Sequence, residues 1–353
     1  MISMAATEIC ENVPLAPLTT LGVGGPARFF VAAQDADQVC QAVGWARERR
    51  LPIFVLGGGS NLVVSDGGFP GLVLQPGLRG ISSRKEGARI FFTVGAGEDW
   101  DAFVGHAVSC NCAGIECLSG IPGTAGAAPV QNIGAYGQEA GNIIDRVDAL
   151  EIATGARTTL DFRRCAFGYR QSIFNTGEAG RWIILQVTFA LQPDGAPLVA
   201  YRDLQEHFGS SQPTLAEVRE AVRQIRRRKG MLLVEGAEDA RSAGSFFKNP
   251  VLTTGQYSAL QQLLRERGGP AVPAYPAGDS LHKISAAWLI EQAGFGKGYV
   301  RGRVGISRKH ALALVNLGGA TAAEVMALKS EIQSAVRQRF GIDLHSEPIF
   351  LGF

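Results

Sequence analysis

Residues 120–137 constrain this chain more than any other segment. They read Gly-Ile-Pro-Gly-Thr-Ala-Gly-Ala-Ala-Pro-Val-Gln-Asn-Ile-Gly-Ala-Tyr-Gly: five glycines and four alanines in eighteen positions, with no charged side chain. Small residues at this density let a backbone come close to something large and flat. Glycine also offers N–H groups that no Cβ shields, and it tolerates φ > 0. Thr124, Gln131 and Asn132 add neutral hydrogen-bonding groups. The alternative is a long loop or a tight packing surface.

A second run favours a ligand. Gly57-Gly58-Gly59-Ser60-Asn61 lies between the apolar pieces Val55-Leu56 and Leu62-Val63-Val64. Successive N–H groups in such a turn form a nest for phosphate oxygens. The pattern is not the Rossmann fingerprint, because the third glycine is missing. Nor is it a Walker A loop, because no Gly-Lys-Ser/Thr follows. Two glycine loops of different type, some sixty residues apart, suit a dinucleotide held at both its pyrophosphate and its ring.

At 353 residues the chain has room for two or three domains. Hydrophobic residues at 46% and charged residues at 19% mark a globular protein. A net charge of +2 gives no sign of a nucleic-acid surface. The cluster Arg226-Arg227-Arg228-Lys229 ends a predicted helix and reads as its solvated terminus. Cys10, Cys40, Cys110, Cys112, Cys117 and Cys165 contain no Cys-x-x-Cys pair and no zinc spacing, so no metal is expected and a reducing, cytoplasmic setting is. No signal peptide or membrane-length apolar run is read.

Along the chain, Arg28–Ala33, a helix over Asp35–Arg49 capped by Asp35, and Ile53–Leu56 form a βαβ unit that ends at the first glycine turn. Further strands are expected at 72–75, 90–94, 147–152, 157–160, 182–191, 312–315 and 349–351. Helices are expected at 100–109, 214–229, 256–265, 286–292 and 322–340, with 230–242 irregular. The pattern predicts an α+β protein, with a nucleotide-binding part first and a second α/β unit after about residue 213.

Three residues invite chemistry. Arg170 lies among aromatics in Phe167-Gly168-Tyr169-Arg170, and its guanidinium suits a carboxylate or phosphate. The alternative is a surface Arg stacked on Tyr169. Ser245 sits between small and apolar neighbours. No Gly-x-Ser-x-Gly elbow surrounds it, but a serine proton donor needs none. Otherwise it is a strand-edge serine. Glu347 adjoins a C-terminal apolar run and reads either as a desolvated acid or as a solvated loop residue. The five histidines show no metal spacing.

Together these pieces resemble the UDP-N-acetylenolpyruvoylglucosamine reductase (MurB) family of peptidoglycan synthesis, from about Thr19 to Leu351. The motifs are Gly57-Gly58-Gly59-Ser60-Asn61; Ser119 to Thr124 with Gln131 to Gly137; Phe167 to Arg170; Ala243 to Pro250; and Glu347. The resemblance implies an FAD-binding fold of the vanillyl-alcohol oxidase (PCMH) type in two subdomains, 1–85 and 86–212. A C-terminal α/β substrate-binding domain, 213–353, follows, its tail returning to the active site. It implies noncovalent FAD, NADPH as reductant, and UDP-N-acetylglucosamine enolpyruvate as substrate, in a cytoplasmic monomer. It places FAD against Gly57, Gly58, Gly59, Ser60, Asn61, Ser119, Gly120, Ile121, Pro122, Gly123, Thr124, Gly126, Ala127, Gln131, Asn132, Gly134, Ala135, Tyr136 and Gly137. It makes Arg170, Ser245 and Glu347 catalytic: Arg170 would hold the enolate, Ser245 would protonate C2, and Glu347 would be neutral or held by a cation. Tyr169, Tyr201, Lys229, Asn249 and His310 fall at substrate positions. Tyr201 matches the tyrosine of a substrate-covering loop, and His310 stands where some members carry Gln. Gly230-Met231-Leu232-Leu233 departs from the Leu-Pro-rich link of other members.

Two other readings compete. An FAD-dependent sugar, lactone or alcohol oxidase can use the same scaffold. Many such enzymes attach flavin to a histidine in the pyrophosphate loop, and neither glycine loop here has one. A non-catalytic nucleotide-binding module would leave Arg170, Ser245 and Glu347 unused.

Overall fold

The computed structural model describes residues 8–234, 236–237, 239–278 and 280–353. The chain forms two compact units. The first comprises residues 1–13, 26–59 and 69–228; the second comprises 14–25, 60–68 and 229–353.

In the first unit, the helix Ala36–Glu48 follows the strand Pro26–Ala33. Asp35 caps it by accepting from the N–H groups of Asp37 and Gln38, and Val39, Ala42, Val43 and Ala46 form its buried stripe. The expected βαβ unit exists, but its two strands are not neighbours. Strand Phe69–Pro76 lies between Pro26–Ala33 and Ile53–Val55 and pairs in parallel with both. A second, antiparallel sheet runs 157–161, 144–151, 182–193, 89–95, 81–86 across its width. Its core holds Phe92, Phe189, and Trp100 and Phe103 of the helix Trp100–Ser109. Burying each such side chain contributes about 1.5–3 kcal/mol.

The helix Leu215–Arg228 also belongs to this first unit, whereas the expected division at 213 falls before it. Its apolar face, Val218, Ala221, Val222 and Ile225, packs with Cys117, Tyr136 and Leu204. Arg226 corrects the reading of a solvated terminus: it is 6% exposed, on the buried side of its helix, whereas Arg227 and Arg228 are exposed.

Among its described residues the second unit is built from short sheets and three α-helices, Thr254–Glu266, Ala286–Gln292 and Ala322–Phe340. Thr253, Ser285 and Thr321 cap them, the first and last with full capping boxes. Asp66 adds two acceptors at the last of these, taking the N–H groups of Ala322 and Ala323 at 2.8 and 2.9 Å. The C-terminal strand Ile349–Leu351 pairs in parallel with Leu62–Val64, which follows the first glycine turn. Among the described residues no helix is long and apolar enough to cross a membrane.

Candidate functional site

The two glycine loops come together in the first unit. A Cβ on Gly58 would lie 2.8 Å from the Gly123 Cα, and one on Gly57 would lie 3.3 Å from the Ala127 Cβ and 3.4 Å from Thr124 Oγ1. Only bare backbone allows this approach at Gly58. Neighbouring N–H groups are spoken for: Gly120 donates to Asp101 Oδ1 at 2.7 Å, Ala125 to Glu98 O and Gly126 to Ala96 O. Among the described residues, the N–H groups of Gly57, Gly58, Gly59, Gly123 and Thr124 enter no such bond. Backbone donors gathered on two touching loops fit the pyrophosphate of a dinucleotide.

Several other loop residues have their polar groups engaged inside the protein. Ser119 is fully buried, and its hydroxyl donates to Glu116 O at 2.6 Å while accepting from Arg219 at 3.0 Å. Gly126 lies where a Cβ would stand 2.6 Å from that of Ala96. Asn132, at φ 43°, donates from Nδ2 to Glu139 Oε2 and Gly168 O, both 2.9 Å, and accepts from Gly141 N at 2.7 Å. Gly134-Ala135 and Gln138-Glu139 pair as a hairpin, and Tyr136 and Gly137 at its tip both have φ > 0. That is the turn a two-residue hairpin prefers.

Tyr136 is the pivot of this region. Burial pushes its phenol up to about 12, so it stays protonated at neutral pH. Its ring meets that of Tyr201 edge-on, with centroids 5.4 Å apart. Tyr201 stands at the start of the helix Arg202–Phe208, 47% exposed. Arg226 lies close by, donating from Nε to the Gly120 carbonyl at 3.1 Å. Burial lowers its pKa, but guanidinium keeps its charge. Helical phase was the signal for it: Arg226 follows Val222 by four residues on the apolar stripe.

Asp101 fixes the second loop from behind. Burial alone would raise its pKa, but bonds from Arg219 and the Gly120 N–H, with the charges of Arg219 and Arg223, hold it below the usual carboxylate range. Arg170 sits in a tight turn at φ 55°, between the mutual backbone bonds of Gly168 and Gln171. Asn175 Nδ2 donates to its carbonyl at 3.1 Å, and Asn132 holds Gly168 from the other side. Tyr169 beside it is 44% exposed.

In the second unit, Ser245, His310 and Glu347 are assembled around Phe246. This fully buried residue donates its N–H to Leu312 O at 2.7 Å and accepts from Glu347 N at 2.9 Å. Ser245 Oγ and His310 Nε2 are 3.0 Å apart, a contact the sequence did not reveal. Asn61 joins the group: its side chain donates to the Glu347 carbonyl at 3.3 Å, and its own carbonyl accepts from Ile349 N. Beside Glu347, Ser346 Oγ is buried with no hydrogen-bond partner among the described residues. Asn249 spends its carbonyl oxygen on the N–H of Ala286. Lys229 precedes Gly230, whose φ of 66° turns the chain against Lys309.

Two family models match parts of the chain. Residues 27–162 match an FAD binding domain, and residues 236–351 match the C-terminal domain of UDP-N-acetylenolpyruvoylglucosamine reductase. A Thermobifida fusca protein of that name is 44% identical over 353 residues, covering 98% of this chain and 99% of that protein. One from Streptomyces avermitilis is 44% identical over 350 residues, covering 97% and 94%. The crystal structure of the Thermus caldophilus enzyme of the same family superposes with a TM-score of 0.65 at 26% identity, covering 98% of both chains. The fold is therefore the expected α+β one, an FAD-binding fold followed by the C-terminal domain of that family.

Proposed function

Because the chain belongs to the UDP-N-acetylenolpyruvoylglucosamine reductase family, we propose that it reduces UDP-N-acetylglucosamine enolpyruvate to UDP-N-acetylmuramate with NADPH, using noncovalent FAD, in peptidoglycan precursor synthesis. The observation that carries this is the 44% identity to reductases along nearly the whole chain. The same relatives set the oxidase reading aside. FAD, held there, would supply two-electron transfer from NADPH to the substrate.

The protein's own groups then have distinct tasks. The N–H groups of Gly57, Gly58, Gly59, Gly123 and Thr124 would hold the pyrophosphate, with Ser60, Asn61, Ile121, Pro122, Ala127 and Gln131 beside them. Ser119, Gly120, Gly126 and Asn132 would act by shaping the loops, and Gly134, Ala135, Tyr136 and Gly137 by forming the hairpin. Arg170 would hold the negative charge that builds on C2 and the carboxylate, where a fixed fork in a dry site acts strongly. Ser245 would deliver its hydroxyl proton to C2. Glu347 would stand beside the enolate either as the neutral acid or as a carboxylate held by a cation, since a lone carboxylate there repels the enolate. Tyr169, Tyr201, Lys229 and Asn249 would bind substrate, Asn249 through the amide N–H groups that Ala286 leaves over, whereas His310, expected among them, stands against Ser245 instead. Six cysteines without disulfides suit a reducing, cytoplasmic setting.

The experiment is direct. The purified protein should be yellow, release free FAD on acid treatment, and oxidise NADPH only when the enolpyruvyl sugar nucleotide is present. Oxidation of a sugar or alcohol by oxygen, with no response to that nucleotide, would overturn the proposal.

A further inference from the structure

We propose that His310 is the hydrogen-bond donor to Ser245, and that this bond frees the serine hydrogen for carbon and then stabilises the serine oxyanion. The inference rests on the proton-donor role given to Ser245 above. A serine hydroxyl has one hydrogen and two lone pairs. With Oγ and Nε2 at 3.0 Å, one of the two must donate. If Ser245 donates, its only hydrogen points at the imidazole and none is left for C2. That arrangement prepares a nucleophile, the opposite of what a proton donor needs. If Nε2 carries the hydrogen, Oγ accepts along one lone pair and its own hydrogen is free to point elsewhere.

The second arrangement also manages charge. As the C2–H bond forms, the enolate electron pair enters it and the Oγ–H bond breaks, leaving its pair on oxygen. That alkoxide is far more basic than the hydroxyl, so the bond from Nε2–H strengthens as the proton leaves. Water then returns a proton to Oγ. His310 keeps its proton throughout, so it acts through Ser245 and is a positioning residue.

The local structure holds the backbone that carries the ring. Ser307, fully buried, accepts the N–H groups of Lys309 and His310 at 3.0 and 3.1 Å and donates its own hydrogen to Asp239 at 2.9 Å. The His310 carbonyl accepts from Ala313 N at 3.1 Å. Phe246, next to Ser245, is bonded to Leu312 on the same turn. Gly244 at φ 69° sets the direction of approach on the other side. Both partners of the pair are thus clamped by bonds that do not involve each other.

The test compares three variants of the FAD-loaded enzyme by rapid mixing. His310→Gln offers an amide N–H to Oγ and should stay within about tenfold of wild type in reoxidation by substrate. His310→Leu offers nothing and His310→Glu only accepts, so both should slow that step by about 10²–10³-fold, the usual effect of losing one oxyanion donor. Reduction by NADPH should be unaffected in all three, which shows that they fold and hold flavin. Independently of activity, nitrogen NMR should find a proton on Nε2 of His310 in wild type, with a shift that changes in Ser245→Ala. Gln as poor as Leu, Glu as good as wild type, an unprotonated Nε2, or a rise in KM with kcat intact would each overturn the inference. Wild-type turnover in Ser245→Ala would instead overturn the role of Ser245, whatever His310 does.

Discussion

Asp101→Asn tests the scaffold behind the second glycine loop. The carboxylate accepts from Arg219 at 2.6 and 3.1 Å, from Arg223, and from the Gly120 N–H at 2.7 Å. The Asp101 side chain is 23% exposed, and those of Arg219 and Arg223 are 20% and 31% exposed. Exposed pairs contribute about 0–1 kcal/mol, and breaking a fully buried one costs about 3–5 kcal/mol. A half-buried cluster falls between, so the expected loss at pH 7 is about 2–3 kcal/mol. Asparagine keeps one acceptor but turns an N–H group toward an arginine. Urea melts followed by tryptophan fluorescence will read the change, because Trp100 opens the same helix and is buried. The pH dependence gives the sharper test. A depressed carboxyl stabilises the fold above its unfolded value, near pH 4, and the gain disappears as pH falls through the folded value. The gap between wild type and Asp101→Asn should therefore be constant from pH 7 to about 5 and shrink below about 4. A gap under about 0.5 kcal/mol at pH 7, or one that persists undiminished in acid, refutes the argument.

Gly58→Ala places a Cβ 2.8 Å from the Gly123 backbone, an overpacking that costs about 1–3 kcal/mol, and should purify with much less flavin per chain. Gly57→Ala, whose nearest neighbours are side-chain atoms at 3.3 and 3.4 Å, should retain more, and equal flavin content in the two would count against the touching loops. Glu347→Gln should keep far more activity than Glu347→Ala if the neutral acid is the working form; equally poor variants would assign the carboxylate to holding a cation. Tyr201→Phe keeps the ring contact with Tyr136, so stability should change by less than about 0.5 kcal/mol while KM rises more than kcat falls. An unchanged KM would remove Tyr201 from the substrate.

Where local chemistry decides an element, the sequence was legible. The helices Trp100–Ser109, Ala286–Gln292 and Ala322–Phe340 have the expected bounds, because Asp99, Ser285 and Thr321 cap regular apolar stripes. Strand order was not legible. Nothing local says that Phe69–Pro76 inserts between the two strands of the first βαβ unit, because that choice is made by whole-sheet packing. Arg226 was misread because four consecutive cations look like a solvated tip, and composition outweighed helical phase. The pairs Asp101 with Arg219 and Ser245 with His310 join residues 118 and 65 positions apart. Neither side chain carries a local mark of its partner. The glycine loops were legible for a simpler reason: bare backbone is useful only where something must come close.

The parallel pairing of Ile349–Leu351 with Leu62–Val64 bears on how the protein is made. Leu62, Val63 and Val64 are buried to within 4% of full exclusion from solvent in the finished fold. Their partner strand lies 287 positions later in the chain, Ile349 against Leu62. At about 5–20 residues per second, the early strand waits on the order of tens of seconds before its partner exists. During that interval an apolar, unpaired strand edge stands open. The second unit is thus bound to assemble only once Ile349–Leu351 has been made, and deleting that strand would leave the edge exposed for the life of the molecule.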